Sequence, residues 1–283
     1  MEKFKTSSQG LLNSIMFLLA FLVFSCENNE EVQPKVLAND QLDGVKQSKT
    51  SLYYGPAAEV GDGTARVWVQ TEQGKPVAIG IELSEEVLVN LPEHGMPMEF
   101  ILKLPGQAHA TGYKTITVGW NPMGHEPDHI YTLPHFDFHF YMQTEGQIMQ
   151  IEGGIDPGAY ILLEKGILPG FYGFGPPGAP PFAVPHMGLH WVNFTSPEFQ
   201  PGGVFSKTFI YGSDHDKITF LEPMITLAFL QSLPEGTEDV SVVPALNIYE
   251  DPGYYPATYT ISHLENGSYS IALTGLEWHN RHR

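Results

Sequence analysis

Pro134-His135-Phe136-Asp137-Phe138-His139-Phe140-Tyr141, PHFDFHFY, alternates without a break. A strand turns successive side chains to opposite faces, so Phe136, Phe138 and Phe140 share one face and His135, Asp137 and His139 the other. The phenylalanine row needs a core. A sheet that buries one face in this way belongs to a mainly-β protein. Its other face carries two imidazoles and a carboxylate in a row.

The rest of the chain fits such a protein. Its 283 residues are 42% hydrophobic and 12% aromatic, enough for a real core, and 29 glycines and 23 prolines suit many short strands better than long helices. Residues 64–70 and 76–82 read as a hairpin, 84–88 as a short helix, and 98–104 and 114–119 as strands. Residues 207–211 and 217–222 form a second hairpin, 226–233 a short helix or strand, and 258–263 with 269–274 a third hairpin around Asn266-Gly267. The expectation is a single mainly-β domain over residues 51–283, a sandwich or barrel-like fold with one or two short helices. Residues 169–185 are too rich in proline and glycine for either regular element and read as a long ordered loop or a mobile lid.

Residues 1–26 are set apart. Lys3 and Lys5 precede an apolar run over 11–24, the pattern of a secretion signal, and Val23-Phe24-Ser25-Cys26 resembles the lipobox of bacterial lipoproteins. Lipidation at Cys26 would anchor the chain to a membrane, and residues 27–50 would form a flexible tether. The expected location is the bacterial cell envelope, as an outer-membrane lipoprotein. Cys26 is the one cysteine, so the domain has no internal disulfide and depends on packing. The formal charge is −18; residues 1–25 contribute Lys3, Lys5 and Glu2, a net +1, which leaves −19 for residues 26–283. Such a charge repels phosphate backbones and argues against nucleic acid as a partner.

Twelve histidines are present, and six lie between residues 125 and 190. Pro134-His135-x-x-x-His139-Phe140 is echoed by Pro185-His186-x-x-x-His190-Trp191, either two walls of one site or a coincidence in a histidine-rich chain. On a straight strand, residues two apart are separated by about 6.6 Å and residues four apart by about 13 Å. Asp137 and one neighbouring histidine can therefore grip one ion, with further ligands from other strands. The candidate metal ligands are Asp137, His139, His186, His190 and Glu222, with His125, His129 and His135 as additional lining. Imidazoles and carboxylates with an open position suit a divalent transition metal: zinc, iron or manganese. His125-Glu126-Pro127-Asp128-His129 matches H-E-x-x-H, but that chemistry needs a helix, and Pro127 inside the pattern predicts a loop. Asp214-His215-Asp216 reads as a solvated hairpin tip. There is neither a G-x-S-x-G elbow nor a phosphate loop, and no catalytic residue is assigned.

Taken together, Gly63-Thr64-Ala65, the Trp120-Asn121-Pro122-x-Gly124-His125-Glu126-Pro127 run, PHFDFHFY, Met187-Gly188-x-His190-Trp191, the Thr208-Phe209-Ile210-Tyr211-Gly212 run and Glu222-Pro223-Met224 resemble a family of uncharacterised secreted or lipid-anchored bacterial proteins, grouped as a domain of unknown function. The resemblance covers nearly all of residues 55–233. It implies an envelope location and no particular reaction.

These residues admit two functional readings. One is a metal-binding envelope protein whose proline-rich loop 169–185 covers the site, with Glu222 a ligand or general base. The other is a non-catalytic structural or ligand-binding envelope lipoprotein, in one form a homo-oligomer. There the histidines knit a hydrogen-bond network, exposed Phe171, Tyr172 and Phe174 meet a partner or a glycan, and any small ligand is of unknown kind.

Overall fold

The computed structural model describes residues 49–175 and 178–281. The expected signal peptide, Cys26 and the tether as far as residue 48 lie outside the described residues. In chain order the strands are β1 (Thr50–Tyr54), β2 (Ala58–Val60), β3 (Gly63–Glu72), β4 (Lys75–Leu83), β5 (Met98–Leu102), β6 (Thr115–Asn121), β7 (His135–Tyr141), β8 (Gly154–Ile155), β9 (Tyr172–Gly173), β10 (Phe182–Ala183), β11 (Leu189–Asn193), β12 (Lys207–Asp214), β13 (Lys217–Thr226), β14 (Thr237–Val242), β15 (Gly253–His263) and β16 (Tyr269–His279). Three short α-helices join them: α1 (Glu145–Ile148), α2 (Gly158–Lys165) and α3 (Leu227–Ser232).

The hairpins form where turn chemistry allows. β3 and β4 are joined by Gln73 and Gly74, both with positive φ, the twist that a two-residue hairpin loop requires. The 226–233 segment, read as helix or strand, is a helix. β13 runs to Thr226, whose hydroxyl then accepts a hydrogen bond from the Phe229 amide and caps α3.

The first sheet runs β1-β3-β4-β16-β15-β14, with β2 beside β3; the second runs β5-β6-β7-β13-β12-β11-β9. All the pairings are antiparallel, and both sheets have edges, so the arrangement is sandwich-like and not a closed barrel. Val67, Val69, Ile79, Ile81, Ile271 and Leu273 of the first sheet share one apolar core with Ile116, Val118, Phe136, Phe138, Phe140 and Leu221 of the second. The phenylalanine row of β7 is thus the centre of the second sheet's inner wall. Among the described residues no helix is long and apolar enough to cross a membrane.

Candidate metal centre

β7 is hydrogen-bonded on both sides, to β6 and to β13. Because its inner face is spent on phenylalanines, His135, Asp137 and His139 all point away from the shared core. The β6 register places Asn121 opposite His135, Gly119 opposite Asp137 and Thr117 opposite His139. On the other side Leu221 pairs with Phe140 and Met224 with Asp137, which sets Glu222 across from His139. His190 comes from β11, beyond β12, where it pairs with Gly212. A Cβ on Gly212 would lie 1.9 Å from the Phe220 ring. With glycine there, that ring lies across β12 and packs on His139 and His190, at centroid distances of 5.2 and 5.1 Å.

Among the described residues two groups of potential ligands result, each of two histidines and one carboxylate whose ligand atoms lie within 4.8 Å of one another. In the first, Glu222 has Oε1 3.5 Å from His139 Nε2 and Oε2 3.6 Å from His190 Nε2. In the second, Asp137 has Oδ1 3.2 Å from His135 Nε2 and Oδ2 3.8 Å from His125 Nε2. His135, Asp137, His139 and Glu222 are buried, whereas the side chains of His125 and His190 are 35% and 21% exposed and form the rim. Small apolar clusters flank the polar groups: Tyr131, Val192, Phe205, Ile210 and Met224 make one, Tyr141, Ile148 and Phe220 the other. They keep water from the floor.

The polar atoms on that floor are unsatisfied. Among the described residues, eight buried side-chain atoms have no hydrogen-bond partner, and four of them are His135 Nε2, Asp137 Oδ1, His139 Nε2 and Glu222 Oε2. Leaving such atoms unpaired costs about 1–3 kcal/mol each, so a concentration of them on the ligand-forming atoms of two groups calls for a positive charge in the gaps. A proton or a metal ion supplies it.

The titration of these groups reflects the same geometry. Burial pushes the Glu222 carboxyl well above the usual range, and the neighbouring Asp137 and Glu99 push it the same way. Burial works against the Asp137 carboxylate too, but the imidazole of His135 outweighs it, with His125 and His139 adding, and the net pKa is lowered. For His135, burial favours the neutral ring, yet Asp137 raises its pKa overall. Burial, then the charges of His139 and His125, lower His190 to about 3.

A supporting shell surrounds the ligands. Glu99 on β5 lies 3.6 Å from His139 Nδ1 and accepts a hydrogen bond from Thr117, and Asn121 Nδ2 donates to Asp137 Oδ2 at 2.6 Å. Sequence reasoning missed Glu99, Thr117 and Asn121. The signal was there in alternation: Thr117, Gly119 and Asn121 share a face, and Glu99 pairs with Gly119.

The structure separates what the sequence reading grouped. Asp137 belongs with His125 and His135, and His139 with His190 and Glu222. His186 joins neither group: it is exposed, with φ of 60°, in a tight turn where Val184 bridges to Gly188. The echo of P-H-x-x-x-H is therefore not a structural repeat, since the first copy runs along one strand and the second spans a turn. His129 is likewise exposed, with φ of 67°. The H-E-x-x-H stretch forms no helix. In the 169–185 segment, Tyr172 and Phe174 pack on the side of β11 away from His190: Tyr172 is buried against Tyr211, and Phe174 packs on Trp191. Of the three aromatics expected to be exposed, Phe171 alone is. No family model matches the chain, and neither a curated protein nor a solved structure matches it.

Proposed function

We propose that this protein binds a divalent transition metal, zinc, iron or manganese, through His139, His190 and Glu222. The observation that carries this is the pair of buried, partnerless atoms, His139 Nε2 and Glu222 Oε2, facing one gap with His190 Nε2 at its rim. Two nitrogens and one carboxylate suit these ions and leave coordination positions for water or a small ligand. Glu99 behind His139 Nδ1 is the outer carboxylate that commonly orients a ligating imidazole. The lipobox-like Val23-Phe24-Ser25-Cys26 supports placing this activity in the bacterial envelope, with a lipid on Cys26.

Elemental analysis of the purified protein after loading with Zn(II) or Mn(II) and desalting tests the reading. Wild type retains metal at near-stoichiometric level, and His190→Ala and Glu222→Gln retain at least one equivalent less. Wild type that keeps no metal overturns it and leaves protons in the gaps, the hydrogen-bond network of the alternative reading.

A further inference from the structure

We infer that His125, His135 and Asp137 form a second metal site, so that the protein holds two ions side by side along β7; the pairing rests on the first site, whereas the second site stands on its own atoms.

The tautomers are decisive. His135 Nδ1 lies 2.7 Å from the Leu133 carbonyl and His125 Nδ1 lies 2.6 Å from the Glu126 carbonyl. A carbonyl only accepts, so both Nδ1 atoms carry the proton, and in the neutral rings both Nε2 atoms present lone pairs. Those lone pairs face the two oxygens of one carboxylate. His135 Nε2 and Asp137 Oδ1 approach to 3.2 Å without making a hydrogen bond, and both are buried. Three acceptors turned toward one point, each fixed from behind, is the arrangement of a ligand set. Asn121 completes it by holding Oδ2 and leaving Oδ1 open.

The loop that brings His125 is built for the purpose. Gly124 has φ of 67°, and a Cβ there would lie 2.1 Å from the Tyr131 carbonyl oxygen. The same carbonyl accepts the His125 amide at 2.9 Å, closing the loop. The His125 ring then packs edge-on to His135 and Tyr131, and His135 packs on Phe205. Aromatic walls lower the local dielectric and strengthen the pull of the three donors on a cation. Asp137 and His139 are two residues apart on one strand face, about 6.6 Å between Cα atoms, so the two ions would be near neighbours. Two nitrogens and one oxygen again select zinc, iron(II) or manganese(II), with open positions left for water.

The test is metal stoichiometry of the full chain, stripped with a chelator, loaded with Zn(II), and passed over a desalting column with a weak competitor that clears surface histidines. Wild type retains two equivalents. His125→Ala and His135→Ala each retain one, Glu222→Gln retains one, and the His125→Ala/Glu222→Gln double variant retains none; His129→Ala and His186→Ala retain two. Wild type with one equivalent, lost in Glu222→Gln and kept in His125→Ala, overturns the second site and spares the first. One equivalent lost in both variants overturns it as well, since the six residues then share one ion. Two equivalents reduced by His125→Ala but not by Glu222→Gln sink the first site alone. His125 is partly exposed, so its replacement keeps the test open if His135→Ala does not fold.

Discussion

On the outward face of the first sheet, Arg66 donates to Glu82 at 2.6 Å, Trp68 donates to Ser270, and the hydroxyls of Thr258, Thr260 and Thr274 hydrogen-bond to one another. On the outward face of the second sheet, four buried ligand atoms find no partner. Both faces are polar and both sheets share one core. The difference is that one face satisfies its polar groups locally, as an ordinary half-solvated sheet does. The other is walled by aromatic and aliphatic clusters and is left short of positive charge. Unmet demand, more than polarity itself, marks the candidate face.

The largest effect expected is on what the two faces have in common. Phe138→Ala removes a fully buried ring from the centre of the core and is expected to cost about 3–5 kcal/mol, and Ile81→Ala in the first sheet about 2–5 kcal/mol. Urea unfolding measures both. A Phe138→Ala loss below about 1 kcal/mol would break the comparison at its base, because β7 would not be a shared wall.

The next effect separates the faces through pH. The Glu222 pKa lies above its unfolded value of 4.5, so its contribution to stability is complete below that pH and is lost as pH rises toward the folded value. His190 is lowered from 6.5 to about 3, so its contribution is complete above 6.5 and is lost as pH falls toward 3. Above pH 6.5 the Glu222 and His135 slopes run the same way, because both pKa values are raised, and the metal-free protein should lose stability as pH rises, by up to about 1.4 kcal/mol per pH unit for each group. In Glu222→Gln that slope should become shallower, leaving the part that His135 contributes. In His190→Gln the opposite slope below pH 6.5 should become shallower, leaving at the acid end the part that Asp137 contributes. Chemical denaturation at a series of pH values reads both, and unchanged slopes would mean that neither side chain is held as its surroundings dictate. Metal loading near pH 7 should release protons into a weak buffer, chiefly from Glu222, and Glu222→Gln should release fewer.

The smallest effect is expected on the first sheet. Arg66→Ala removes a half-exposed ion pair and should cost less than about 1 kcal/mol, with metal content unchanged. A change in bound metal would erase the distinction between the faces.

The β architecture was legible wherever polar and apolar residues alternate along a strand. PHFDFHFY announced its own geometry, and the three hairpins were marked by their turns. The eight-residue α2 was missed because GAYILLEK is too short to establish a helical period. Half of the candidate site was legible as well, since His135, Asp137 and His139 share a face by alternation alone. Which histidine joins which carboxylate was not, because it depends on contacts distant in sequence. Glu222 reaches His139 through β-sheet register, His190 reaches Glu222 across the gap that Gly212 leaves, and His125 arrives on a loop shaped by Gly124. The echo at His186 misled for a related reason: Gly188, with φ of 116°, turns the chain between His186 and His190, so equal spacing gives unequal geometry.

β7 is clamped along its length by neighbours on either side. Its amides should therefore be among the slowest in the chain to exchange with deuterium. The proposed receptor would be in shape before its guest arrives, so a chelator should empty it without melting it. Ions should be admitted according to how well their bond lengths match a rigid frame.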